Sequence, residues 1–191
     1  YLHFAGENTG SVRLHSFTGG LRENMVPESA TAVVSGDLTD LQGKLDAFVA
    51  EHKLRGELQE EAGQYKVTII GKSAHGAMPA SGVNGATYLA LFLSQFDFAG
   101  PAKDYLAGKI LLNDHEGKNL KIAHVDEKMG ALSMNAGVFR FDETSADNTI
   151  ALNIRYPKGT SPEQIKSILE NLPVASVSLS EHGHTPHYVP M

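Results

Sequence analysis

Arg55-Gly56-Glu57-Leu58-Gln59-Glu60-Glu61-Ala62-Gly63-Gln64-Tyr65-Lys66-Val67-Thr68-Ile69-Ile70-Gly71-Lys72 reads as two strands, 55–61 and 64–72, folded back on each other at Ala62-Gly63. The stretch before this hairpin is helical. Thr39 and Gln42 have capping-box spacing, and Leu38, Leu41, Leu45, Phe48 and Val49 recur every three or four residues as one apolar stripe. Two more strands fit 12–18 and 30–35, so the first third of the chain runs β-β-α-β-β.

The last third repeats that order with different residues. Strands fit 133–141 and 148–156, joined by a polar turn over 142–147. Ser161-Pro162-Glu163-Gln164 opens a helix with an N-cap, a proline at the first helical position and a capping-box glutamine. Ile165, Ile168, Leu169 and Leu172 supply its apolar stripe, and a strand over 175–181 closes a β-β-α-β unit. Helices are expected at 84–95 and 101–114, while 117–130 is polar and without a clear period. Helices set between strand-rich units pack on one face of an antiparallel sheet. The expected fold class is therefore α+β, with two related ββαβ, ferredoxin-like subdomains at 11–75 and 131–182, joined by a helical segment at 82–130. A chain that repeats itself in this way has the form of a dimer fused into one polypeptide.

Composition excludes several functions. The 191 residues carry 16 Lys+Arg against 22 Asp+Glu, a formal charge of -6, with 9 His and no cysteine. Nucleic acid is not an expected partner, because phosphate binding needs clustered cations and the chain has no basic stripe. A membrane is not expected either: the longest apolar run, 88–98, is broken by Ser94, Gln95 and Asp97 and falls short of the ~20 residues of a span. Without cysteine there is no disulfide, thiolate metal site or thiol nucleophile, which fits a reducing, cytoplasmic setting. No G-x-S-x-G elbow, P-loop, G-x-G-x-x-G or H-E-x-x-H motif is present.

Three residues stand out as candidates for chemistry. His75 lies in Gly71-Lys72-Ser73-Ala74-His75-Gly76-Ala77-Met78-Pro79, where small residues clear space around one imidazole at the end of a strand. It can donate to a developing oxyanion, act as acid, base or ligand, or simply bond to nearby backbone. Arg155 shares a strand face with Asn153 by alternation. It can clamp a carboxylate with two parallel hydrogen bonds, or sit in a surface ion pair. Asn24, in Leu21-Arg22-Glu23-Asn24-Met25-Val26-Pro27-Glu28, can offer its amide to a substrate or cap its own turn. His182, His184 and His187 lack an accompanying Asp or Glu, and Asp142, Glu143 and Asp147 lack the ligand order of a calcium loop. No metal site is expected in this chain.

These same residues carry a resemblance. The run from Gly71 to Pro79, continued by Ser81-Gly82-Val83-Asn84-Gly85-Ala86, is similar to the lid signature of PepV-type dipeptidases, dinuclear zinc metallopeptidases related to aminoacylase and carnosinase. Gly20-Leu21-Arg22-Glu23-Asn24-Met25-Val26-Pro27-Glu28-Ser29-Ala30 resembles a second signature of that branch. Pro186-His187-Tyr188-Val189-Pro190 resembles the return to its catalytic domain. The resemblance implies that 1–191 is the excised lid of an enzyme that hydrolyses dipeptides with a free N-terminus. Two zinc ions would be bound by a catalytic domain absent from this chain, and that domain and the dipeptide would be its partners. It further implies that His75 polarises the scissile carbonyl, Arg155 holds the substrate carboxylate and Asn24 fixes the bound peptide, and that the chain alone is inactive. A free-standing binding or dimerisation module is the alternative.

Overall fold

The computed structural model describes residues 1–4, 10–97, 111–145, 148–172 and 176–180. Within them the two sequence repeats build one antiparallel sheet. The first contributes β2 (Val12–Gly19), β3 (Ser29–Gly36), β4 (Arg55–Glu61) and β5 (Gln64–Ile70), with α1 (Leu41–His52) between β3 and β4. The second contributes β8 (Ser133–Asp142), β9 (Asn148–Arg155), α3 (Pro162–Leu169) and β10 (Ser176–Val177). A strand absent from the sequence reading, β1 (Leu2–Phe4), completes it. The order across the sheet is β10-β1-β9-β8-β2-β3-β5-β4. Thus β1 stands between β9 and β10 where β5 stands between β3 and β4. Its three residues are too few to show a period, and only pairing with β9 and β10 places it. Two short strands, β6 (Val125–Asp126) and β7 (Gly130–Ala131), form a separate ribbon inside the polar stretch.

One face of the sheet is apolar and meets the helices. Phe17, Ala30, Ala32, Val34, Val67, Ile69, Phe139 and Ile150 share a single core with Leu41, Leu45 and Phe48 of α1, with α2 (Gly85–Leu93) and with Ile165 and Leu169 of α3. The Phe48 and Phe92 rings meet edge to face at 5.3 Å. The helix expected at 84–95 is α2, and Asn84 caps it, its Oδ1 accepting from the Ala86 and Thr87 N–H groups. Ser161 caps α3 by accepting from Gln164 N–H, with Pro162 at the first position. The capping box at Thr39 does not form. The Thr39 hydroxyl donates instead to Asp37 Oδ1, and α1 starts from Asp40 in the left-handed region, with no side-chain cap. Most of the helix expected at 101–114, and His182, His184, His187 and the 186–190 run, lie outside the described residues.

The two halves join where β2 pairs β8, Ser16 through Gly19 against Asp142 through Phe139. Each strand carries a bulge, one in β2 between Leu14 and Ser16 and one in β8 between Ala136 and Val138. Thr18 and Arg140, each three positions beyond its bulge, face each other. That register is the one a two-fold relation between the repeats requires. A bulge reverses which residues face the core, so β2 buries Val12 and Leu14 before it and Phe17 after it.

Two predictions follow from this framework. The Glu143 carboxylate accepts from His15 and from Arg13 across the seam, at 2.8 and 2.7 Å. These bonds, His15's first, hold it below its ordinary value of 4.5. A depressed carboxylate contributes stability above its unfolded value and loses it as pH falls through the folded one. Thermal melts between pH 3 and 7 should therefore fall more steeply below about pH 4.5 for the native sequence than for Glu143→Gln; parallel curves would refute the linkage. At the β4–β5 turn Ala62 has φ 52° and Gly63 φ 79°, the two-residue hairpin geometry that favours Asn at its first position. Ala62→Asn should gain about 0.5–1 kcal/mol in urea unfolding, relieving part of the left-handed cost.

Candidate functional site

Asn24 lies in the connection between β2 and β3, His75 in the loop that follows β5, and Arg155 at the end of β9, on the sheet face opposite the helices. Asn24 sits exposed at the tip of a turn closed by the Met25 N–H donating to the Arg22 carbonyl at 3.2 Å. This loop does not stand alone. Val26 N–H donates to Ala74 O at 2.8 Å, Gly76 N–H to Asn24 O at 2.6 Å, Gly71 N–H to Glu28 O at 2.6 Å, and Gly85 N–H to Pro27 O at 2.9 Å. The loop bearing Asn24 and the loop bearing His75 are one hydrogen-bonded unit, with Met25 and His75 in an antiparallel bridge.

His75 is exposed, and its orientation is set by its own loop. The Ala77 N–H donates to His75 Nδ1 at 3.0 Å. A ring nitrogen that accepts cannot carry the proton, so the neutral imidazole holds its hydrogen on Nε2, away from that backbone bond. The loop therefore presents an N–H donor.

The other side of the Asn24 loop rests on β8. Asn135, buried at 2% exposure, donates from Nδ2 to the carbonyls of Glu23 and Met25, both at 2.9 Å. Two close approaches hold the loop backbone in place. A side chain at Gly137 would come within 2.4 Å of the Glu23 carbonyl oxygen, and one at Gly76 within 2.8 Å of that of Asn24. Asn84 adds a further tie, its Nδ2 donating to Ala136 O at 2.9 Å and joining the start of α2 to the β8 bulge.

Arg155 lies on the same sheet face. Asn135 is opposite Asn153, and Ser133 opposite Arg155, so all four share that face. Arg155 is half-buried, its Nε enclosed without a hydrogen-bond partner, and it has no carboxylate partner among the described residues. Tyr1, held by its hydroxyl donating to Glu23 Oε2 at 3.0 Å, flanks the same region; that acidic neighbour pushes the phenol pKa up. Beside the Asn24 loop an open groove of about 730 Å³ is lined by Thr18, Arg22, Pro27, Ser73 and Arg140. Among the described residues no group of three His, Cys, Asp or Glu side chains is placed to hold a metal ion.

Sequence reasoning missed Asn135 and Gly137, the residues that seat the loop. A signal was present: asparagine is disfavoured inside strands, and a glycine two positions later in the same strand marks a bulge.

The chain is similar to curated dipeptidases. It is 34% identical to a β-Ala-Xaa dipeptidase of Lactobacillus delbrueckii subsp. lactis, over 98% of this chain and 41% of that protein. It is 31% and 30% identical to putative dipeptidases of Staphylococcus epidermidis and Staphylococcus saprophyticus, in each case over 92% of this chain and 39% of the relative. The chain thus spans about two fifths of the length of these relatives. No protein-family model matches it.

Asn135→Ala should cost about 1–3 kcal/mol in urea unfolding, because two carbonyls lose their buried donor. It should also speed amide exchange at Val26 and Gly76. Unchanged exchange at both amides would show that the loop is seated by other contacts.

Proposed function

We propose that this chain is the lid of a PepV-type dinuclear zinc dipeptidase of the cytoplasm, cleaving dipeptides with a free N-terminus. In this reading the lid closes over substrate held on a catalytic domain outside the chain. His75 donates its Nε2 hydrogen to the scissile carbonyl oxygen as that oxygen gains negative charge. Arg155 takes the C-terminal carboxylate, and Asn24 orients the peptide between them. In this reading the two zinc ions and the attack on the peptide belong to the catalytic domain. The lid alone is inactive.

The observation that carries this reading is the hydrogen bond from Ala77 N–H into His75 Nδ1. An oxyanion donor is effective when it is oriented before the charge appears, and this bond does that work in the ground state. Arg155 supports the reading independently, as a half-buried cation without an acidic partner among the described residues. A guanidinium in that state is suited to a carboxylate from outside. A single arginine set beyond the scissile bond would favour short peptides, because longer chains place their carboxylate elsewhere. The similarity to dipeptidases over almost the whole chain agrees with this assignment. So does the fraction of their length that it covers. The absence of cysteine fits a reducing compartment, and no described helix is long and apolar enough to cross a membrane.

The test uses the full-length protein. His75→Ala should lower kcat roughly 100- to 1000-fold, the usual cost of one oxyanion donor, while KM changes little. Arg155→Ala should instead act mainly through KM, since it removes an interaction made in both ground and transition states. Native kcat in the His75 variant would refute the assignment.

A further inference from the structure

Only two buried side-chain atoms among the described residues have no hydrogen-bond partner, and they are neighbours: Asn153 Oδ1 and Arg155 Nε. Both belong to β9 and project from the same face, two positions or about 6.8 Å apart along the strand. One is an acceptor and the other a donor. Buried polar groups are nearly always satisfied, and an orphan acceptor beside an orphan donor marks a place shaped for a group that brings the complement of each.

The surroundings leave room for such a group. Asn135, opposite Asn153, spends both Nδ2 hydrogens on the Glu23 and Met25 carbonyls, so it cannot donate to Asn153. β1 covers the edge of β9 only from Asn148 to Ile150, leaving the second half of β9 without a strand neighbour on that side among the described residues. A cavity of about 210 Å³ opens beside it, lined by Asn153 together with Tyr1, Glu23, Tyr156 and, from α3, Ile165 and Leu169; Arg155 stands next to this cavity along β9 and does not line it.

We propose that Asn153 is a substrate-binding residue whose Oδ1 accepts the backbone N–H of the same C-terminal residue whose carboxylate Arg155 holds. This rests on the assignment of Arg155 made above and extends it from an anion clamp to recognition of a whole amino-acid residue. A carboxylate alone satisfies Arg155 and leaves Oδ1 orphaned. A residue joined through its N–H satisfies both, and the same acceptor serves the amine after cleavage. Residues that lack the N–H, proline or N-methylated ones, are discriminated against at this position.

Two ligands of the same shape isolate that hydrogen: N-acetyl-L-alanine, with an amide N–H, and O-acetyl-L-lactate, with an ester oxygen in its place. Measured as competitive inhibitors of the full-length enzyme, the amide should bind about tenfold more tightly, the upper end of one hydrogen bond's usual worth. Asn153→Ala should bring the ratio near one. Asn153→Asp, which sets a carboxylate beside Arg155, should weaken both ligands. A native ratio in Asn153→Ala, or native affinities in Asn153→Asp, would overturn the proposal. Arg155→Ala separates the two levels. If both ligands weaken there while Asn153→Ala keeps the preference, only the role of Asn153 falls. If neither weakens, the carboxylate clamp falls with it.

Discussion

The pairing of Ser16–Gly19 with Phe139–Asp142 is short, yet among the described residues it is the one strand pairing that joins the halves of the sheet. It is reinforced from several directions. Arg140 reaches across to donate to the carbonyls of Gly19 and Gly20 at 3.3 and 3.1 Å. The Phe17 and Phe139 rings pack at 5.8 Å on the helix side, and Asn84 fastens α2 to Ala136. The loop bearing Asn24 leaves β2 at Gly20 and is held by Asn135 on β8. If the seam slipped by one residue, every side chain of β8 would change face. Asn135 would then turn into the core and the loop would lose its seat.

The two ends of that seam have opposite fates. At the β2 bulge His15 fills the space, its two ring nitrogens engaged by Glu143 and by Ser35. At the corresponding β8 bulge there is only Gly137, and the vacated volume admits the Glu23 backbone. One repeat closes its bulge with side chains, the other with the loop that carries Asn24. A nearly symmetric scaffold thereby yields a single asymmetric site.

Much of this architecture is legible in the sequence, for definable reasons. Alternation marks β3 and β5 because each has one face in the core, as with Ala30, Ala32 and Val34. The Ala62-Gly63 turn and the Ser161-Pro162 cap announce themselves through local chemistry. Local chemistry also misleads: Thr39 has the spacing of a capping box, but Asp37 takes its hydroxyl. β1 is invisible because a three-residue strand has no period. For the site, Asn24, His75 and Arg155 can be singled out by residue type, and the structure joins the first two directly through Gly76 N–H and Asn24 O. What the sequence hides is the support. Asn135 acts on residues more than a hundred positions away; an asparagine two positions before a strand glycine marks an irregularity there but does not reveal which loop it serves.

The position of β1 has a mechanical consequence. Leu2 lies opposite Val177 and His3 opposite Ser176, so the two ends of the sheet-forming sequence run side by side at one edge. The antiparallel ladder is thereby closed at its edge by residues from both the start and the end of the described sequence, and pulling the two apart would have to open that edge before it disturbed the loop, the imidazole or the arginine.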